Sequence, residues 1–307
     1  MYPLHPAQSR RGALNESSVS DRHRFASSLR WAQIMMLRFL VPVFAFLLMA
    51  EPALAQVGAD LNISPKRVVF GPGERSATVY IFNQGDQPAT YTVELVDRVM
   101  LPDGQIVAVA DHPEARIESA QDLVQYTPRR ITLQPRESQA IRVRARPGEG
   151  GEHRSHLTVT ALPPESTGFT VDQAAGAGEN EVSLQVVALF SVSIPVIVRD
   201  GAADARAAID RLSVSKVEDQ TLVSLDLVRQ GANSVYGDVE IYTEDRAGRQ
   251  LLTAVRGVAV YPEVERRTVI APLPSPITPG QTLTVIYRND DDADSGAVLA
   301  TATLIAP

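Results

Sequence analysis

Cysteine is absent from all 307 residues, which excludes a thiol nucleophile and any disulfide. The fold has to be held by its apolar cores alone, even in a compartment oxidising enough to permit disulfides. Tryptophan occurs once, at Trp31, ahead of a leader described below, so the cleaved chain is expected to fluoresce from tyrosine only. Beyond residue 55 there are three histidines, His112, His153 and His156, and no His-Glu-x-x-His pattern. His153 and His156, three apart on an expected strand, point to opposite faces and do not share a metal. No serine sits in a Gly-x-Ser-x-Gly elbow. Gly71-Pro72-Gly73-Glu74-Arg75-Ser76 lacks the length and the lysine of a phosphate loop and reads as a hairpin turn. The expectation is a protein that is not an enzyme and carries neither cofactor nor metal. One acidic run, Asp290-Asp291-Asp292-Ala293-Asp294-Ser295-Gly296, leaves two readings open, a solvated turn or half of a calcium loop whose closing glutamate is replaced by Thr301.

Segments of helical period are also scarce after residue 60. The 21 prolines and 19 glycines punctuate many short apolar runs, which makes the chain all-β. With 44% hydrophobic residues there is material for packed cores, and this length suggests two domains. The run from Phe39 to Ala50 after Arg38, followed by Ala53-Leu54-Ala55, has the form of a cleavable secretory signal over residues 35–55. Twelve apolar residues are too few for a bilayer, which needs about 20, so no stable membrane insertion is expected after cleavage. Residues 1–34, rich in Ser and Arg, are expected to be untranslated or disordered, with synthesis starting at Met35 or Met36. Of 29 basic and 36 acidic residues, six Arg and three acids fall in residues 1–55, leaving 23 and 33 and a formal charge of −10. Such a surface repels nucleic acid.

Strands are expected over Ala59 to Phe70, Ser76 to Asn83, Ala89 to Val99, Arg129 to Leu133 paired with Gln139 to Arg144, and Glu152 to Leu162, with a polar segment from Ala110 to Ser119 outside the core. The polar link Arg199 to Asp204 separates residues 56–200 from residues 201–307. Seven further strands are expected in the second part: Asp210 to Lys216, Thr221 to Arg229, Val235 to Thr243, Gln250 to Val260, Thr268 to Pro272, Leu283 to Arg288 and Ala297 to Ile305. Each part has the strand count of an immunoglobulin-like sandwich.

The most regular stretch is Glu181 to Arg199. Val182, Leu184, Val186, Ala188, Phe190, Val192 and Ile194 hold every second position, with Ser183, Gln185, Val187, Leu189, Ser191 and Ser193 between them. In a strand this puts seven apolar groups on one face. Two readings follow, an ordinary core strand or an edge strand lent to another chain. The preceding residues 165–180, with Ala174-Ala175-Gly176-Ala177-Gly178, form a long loop of the kind that is functional or mobile in compact domains.

Five segments in order carry a family resemblance: Ser64-Pro65-Lys66-Arg67-Val68-Val69-Phe70, the Asn83 turn, Tyr126-Thr127-Pro128-Arg129-Arg130-Ile131-Thr132-Leu133-Gln134-Pro135, Gly151-Glu152-His153-Arg154-Ser155-His156-Leu157, and Ser193-Ile194-Pro195-Val196-Ile197-Val198-Arg199. Together with Tyr287-Arg288-Asn289-Asp290, this resembles the periplasmic chaperones of the chaperone/usher pathway, and most of all their archaic branch. The resemblance implies two immunoglobulin-like domains in an L and a donor strand lent to incomplete pilus subunits. It also implies periplasmic location, an outer-membrane usher as second partner, and self-association of the free protein through the donor strand as one option. It implies roles for single residues as well. Arg67 corresponds to the arginine that grips the subunit's terminal carboxylate, with a plain surface charge as the alternative. The second gripping residue of the family is a lysine, and Pro195 stands there; Lys66 and Arg154 are the substitutes in reach. Glu152, Arg199 and Asp290 fall on an interdomain acid, base and acid, or are three unrelated surface charges. The alternative is a different class, a pilus subunit or an adhesive immunoglobulin-like module; subunits of that pathway need a donor extension at the mature N-terminus, and Gln56 to Asp60 is short.

Overall fold

The structure, a computed structural model, describes residues 61–148, 150–163, 189–202, 204–245, 248–291 and 295–307. The expected signal and the segment before it, residues 1–55, lie outside them. So do Val182, Leu184, Val186 and Ala188 and the loop leading to them.

Eleven strands make the first sandwich and its attached hairpin: β1 (Leu61–Ser64), β2 (Val68–Phe70), β3 (Ser76–Asn83), β4 (Ala89–Val96), β5 (Arg98–Met100), β6 (Ile106–Ala108), β7 (Val124–Thr127), β8 (Arg130–Leu133), β9 (Ser138–Ala145), β10 (Gly151–Ala161) and β11 (Ser191–Asp200). One sheet has the order β1-β3-β9-β7 and the facing sheet β2-β11-β10-β4-β8, while β5 and β6 pair only with each other. The segment expected as one strand from Ala59 to Phe70 is therefore two, one in each sheet. Pro65, which lacks an N–H for a ladder, falls at the switch. A second difference concerns Arg129 to Leu133 and Gln139 to Arg144, expected as neighbours. β8 pairs with β4 and β9 with β3 and β7, so the Gln134 to Glu137 link crosses from sheet to sheet. Both strands alternate with the same period, and pattern alone does not say which sheet each one joins. Ile131 and Leu133 of β8 face Ile141 and Val143 of β9 across one buried core with Phe70, Ile81, Tyr91 and Leu157.

The second sandwich contains β12 (Ala207–Val217), β13 (Gln220–Arg229), β14 (Val235–Asp245), β15 (Gly248–Val260), β16 (Arg266–Pro272), β17 (Thr282–Asn289) and β18 (Val298–Ile305). Its sheets are ordered β12-β13-β16 and β15-β14-β17-β18. All seven coincide with the expected runs to within a few residues, because period-2 alternation is strong where one face is buried. The all-β pair of sandwiches read from the sequence is what the structure shows. Among the described residues no helix is long and apolar enough to cross a membrane.

Ile197, Val69 and Met100, from strands of the first sandwich and its hairpin, pack into the second sandwich's core beside Leu225, Val239 and Tyr287. The phenol of Tyr287 is fully buried and donates to the Val258 carbonyl at 2.7 Å. Burial holds its pKa above the tyrosine range. Tyr287→Phe is expected to lower unfolding stability by about 1–3 kcal/mol, since a buried carbonyl loses its donor, as read from a shifted urea midpoint with unchanged slope.

Candidate functional site

The face that β10 and β11 turn toward the second sandwich builds the site. In their antiparallel register Glu152 opposes Arg199, Arg154 opposes Ile197, and His156 opposes Pro195. Alternation then divides β11: Ile194, Val196 and Val198 fill the first core, while Ile197 joins the second core and Arg199 reaches the second sandwich. Three buried charged groups of the first sandwich thus meet loops of the second.

Arg199 uses every nitrogen of its guanidinium. Nε donates to Glu152 Oε2 at 2.8 Å, Nη1 to Asp291 Oδ2 at 3.0 Å, and Nη2 to the Ser234 carbonyl and hydroxyl at 3.2 and 3.0 Å. Glu152 Oε2 in turn accepts from the Ser234 backbone N–H and hydroxyl, both at 3.0 Å. Burial works against the charged guanidinium, but Glu152 and Asp291 outweigh it and hold the Arg199 pKa above its ordinary value. A guanidinium bonded to two carboxylates in fixed directions is a rigid joint.

Beside it, Arg67 lies just before β2 with its side chain 8% exposed. Its Nε stands 3.0 Å from Asp291 Oδ1, yet neither Nε nor Nη1 finds an acceptor in hydrogen-bonding alignment. Nη2 makes a long contact, 3.4 Å, to the Ser234 hydroxyl. The guanidinium sits over the Tyr236 ring, 4.6 Å from its centroid, within cation–π range. Asp291 therefore bridges the two arginines.

A second buried pair lies farther along β10. Arg154 forms a two-pronged pair with Glu263 of the second sandwich and donates to the Arg98 carbonyl. It also stacks 3.7 Å from the Tyr261 ring centroid, and Glu263 accepts the Met100 N–H at 2.8 Å. The edge of Tyr261 meets His156, 6.5 Å away between centroids. Burial, with the charges of Arg154, Arg98 and Arg67 adding to it, lowers the His156 pKa to about 3, and its Nδ1 has no partner.

Among the expected residues, Glu152, Arg199 and Arg67 come together. Asp290 does not. The acid in the joint is Asp291, while Asp290 contributes its backbone N–H to Tyr236. Two acids, Asp290 and Asp291, stand side by side after β17, and the motif does not say which of them turns to Arg199. Of the two substitutes for the missing lysine, Arg154 is committed to Glu263, and Lys66 is exposed and donates to Asn62 Oδ1 at 2.7 Å. Ser234, Tyr236, Tyr261 and Glu263 were not singled out from the sequence. Each is a polar or aromatic residue in a loop or at a strand end of the second sandwich, and only the long-range packing gives it a role.

β11 is flanked unequally. On one side it pairs with β10 over its whole length; on the other, β2 runs parallel to it through Val196–Val198 only. Among the described residues nothing pairs with Ser191 to Pro195 on that second side. Leu189 and Phe190, just before the strand, are 58% and 48% exposed. Val192 is half-buried against the core, and Ile194 is 2% exposed within it. Ile194, expected on a lent face, instead belongs to the chain's own core, because the same alternation runs on into Val196 and Val198. What this part of β11 offers outward is its backbone edge and the two exposed apolar side chains. The opposite face carries hydroxyl pairs, Thr158 with Ser193 at 2.6 Å and Thr160 with Ser191 at 2.8 Å.

No protein-family model matches the sequence. No curated protein matches it either. Among solved structures, the chain is similar to the E. coli chaperone DraB, with 15% identity over 80% of this chain and 96% of that one and a TM-score of 0.39. It is likewise similar to the Pseudomonas aeruginosa CupB2 chaperone, with 14% identity over 80% and 100% and a TM-score of 0.40. A third is the CsuC–CsuE chaperone–tip adhesion subunit pre-assembly complex of the archaic Csu pili of Acinetobacter baumannii, with 13% identity over 80% and 98% and a TM-score of 0.40. At such values none of them says what this chain binds.

Proposed function

We propose that this chain is a periplasmic chaperone that caps incomplete pilus subunits by donor-strand complementation, without ATP, and passes them to an outer-membrane usher. One observation carries the reading: an edge of β11 that no described residue pairs with ends at a buried arginine that still has hydrogen-bond donors to give. β2 starts opposite Val196, so the residue before it, Arg67, lies level with Pro195, where the free edge stops. A guest strand on Ser191 to Pro195 would follow the line of β2, and a carboxylate at its end would meet the guanidinium. Strand addition of this type draws affinity from main-chain hydrogen bonds and specificity from alternate side chains. An exposed edge with apolar residues is otherwise an aggregation hazard. Pro195 has no N–H for a ladder, which also places the end of the guest there. The joint at Arg199 fixes the second sandwich beside that end, so that carboxylate and strand are read together.

Phe190→Asp is expected to weaken capture of a co-expressed pilus subunit by about a hundredfold, the loss of one buried aromatic side chain. The free protein should stay folded, since the ring is exposed. The check is co-purification with small secreted subunits, with circular dichroism on the free variant. Undiminished capture by the folded variant would sink the reading.

A further inference from the structure

We infer that Asp291 is an internal carboxylate that occupies the anchor and competes with the guest's terminal carboxylate for Arg67. The inference rests on the anchor reading above and concerns how that site is controlled. Asp291 stands 3.0 Å from Arg67 Nε with one oxygen and accepts from Arg199 Nη1 at 3.0 Å with the other. Both arginine side chains are less than a tenth exposed, and that of Asp291 is 12% exposed, so solvent screens little of this charge. The contact to Arg67 is short in distance but poor in alignment, as Nε remains without a hydrogen-bonded acceptor and Nη1 has none. Arg199, by contrast, is fully bonded through Glu152, Ser234 and Asp291.

The asymmetry sets what a second carboxylate would do. Near Arg67 it would find aligned donors that Asp291 leaves unused, and it would be repelled by the negative charge of Asp291 a few ångströms away. Binding there weakens the hold of Asp291 on Arg67 and leaves it to Arg199 alone. Because Asp291 belongs to the second sandwich and Arg67 to the first, the loaded and empty anchor differ in the number of ion pairs that cross the joint. Asp291 thus tunes affinity downward, which favours release by strand exchange, and it reports occupancy to the joint. The ring of Tyr236 over Arg67 keeps the guanidinium from swinging away from both carboxylates.

The test uses the full chain and two synthetic peptides of alternating valine and threonine, identical except that one ends in a free carboxylate and the other in an amide. Their affinity ratio isolates the anchor from edge pairing. In the parent protein the carboxylate form should bind about tenfold tighter, as one charge-assisted contact implies. Asp291→Asn should widen that ratio severalfold, and Arg67→Ala should bring it to about one. Glu244→Gln, which removes an acid of the second sandwich paired only with the exposed Arg249, should leave the ratio where it was. A ratio unchanged or reduced in Asp291→Asn, or raised as much by Glu244→Gln, overturns the competition while leaving the anchor standing. A ratio of one in the parent that Arg67→Ala does not alter, or no binding of either peptide, overturns the anchor reading itself.

Discussion

Acid is expected to destabilise this protein well before its carboxylates are fully protonated, with His156 responsible for the first part of the loss. In the folded chain the imidazole is 3% exposed, and its pKa is lowered from 6.5 to about 3 by burial and by Arg154, Arg98 and Arg67. In the unfolded chain it takes up a proton near its ordinary pKa. Between these values the unfolded state binds one more proton, so stability is complete above about pH 6.5 and falls as pH drops toward 3. A shift of that size corresponds to roughly 3–5 kcal/mol at the acid end. Tyr261 and three guanidinium groups surround the ring, and Nδ1 finds no acceptor for a second proton. His156→Phe should flatten the slope of stability against pH between about 4 and 6.5, measured by urea unfolding at half-unit steps. An equal slope in parent and variant would remove His156 from the account.

The second large effect is expected from Glu263→Ala. Arg154 and Glu263 have side chains 4% and 3% exposed, and deletion of the acid strands a buried guanidinium against Tyr261. Breaking such a pair from one side costs about 3–5 kcal/mol. The Met100 N–H loses its acceptor as well. Replacing both members, Arg154→Met with Glu263→Leu, should recover most of the loss, since well-packed apolar groups often replace a buried pair at little cost. If the double variant is as unstable as the single one, the pair does more than neutralise itself. A calorimetric melt of the three proteins decides this.

These residues also mark where sequence reading succeeds and where it stops. The run Ser76 to Asn83 alternates so plainly that its strand could be bounded to the residue, and the second sandwich followed from the same period. Glu152 and Arg199 were legible because each sits in a distinctive local segment, and the register places them opposite one another. Asp291 was missed by one position, because it stands next to Asp290 and a motif does not say which of two adjacent acids turns inward. Glu263 and Ser234 were not legible at all: their partners lie 109 and 82 residues away, and nothing local distinguishes them from other loop acids and serines. The fate of Ile194 was ambiguous for another reason. One apolar alternation runs along an edge that no described residue pairs with and then into a core, and the period is the same in both.

The joint between the sandwiches also bears on the medium in which the chain can work. Raising ionic strength from 0.1 to 1 M shortens the screening length from about 10 to 3 Å, enough to erase most pairings on a protein's outside. Glu152, Arg199 and Asp291 have side chains only 1%, 9% and 12% exposed, so mobile ions do not come between them. The two halves should keep their mutual angle in brine as in dilute buffer, while the exposed pair Arg249 and Glu244 dissolves.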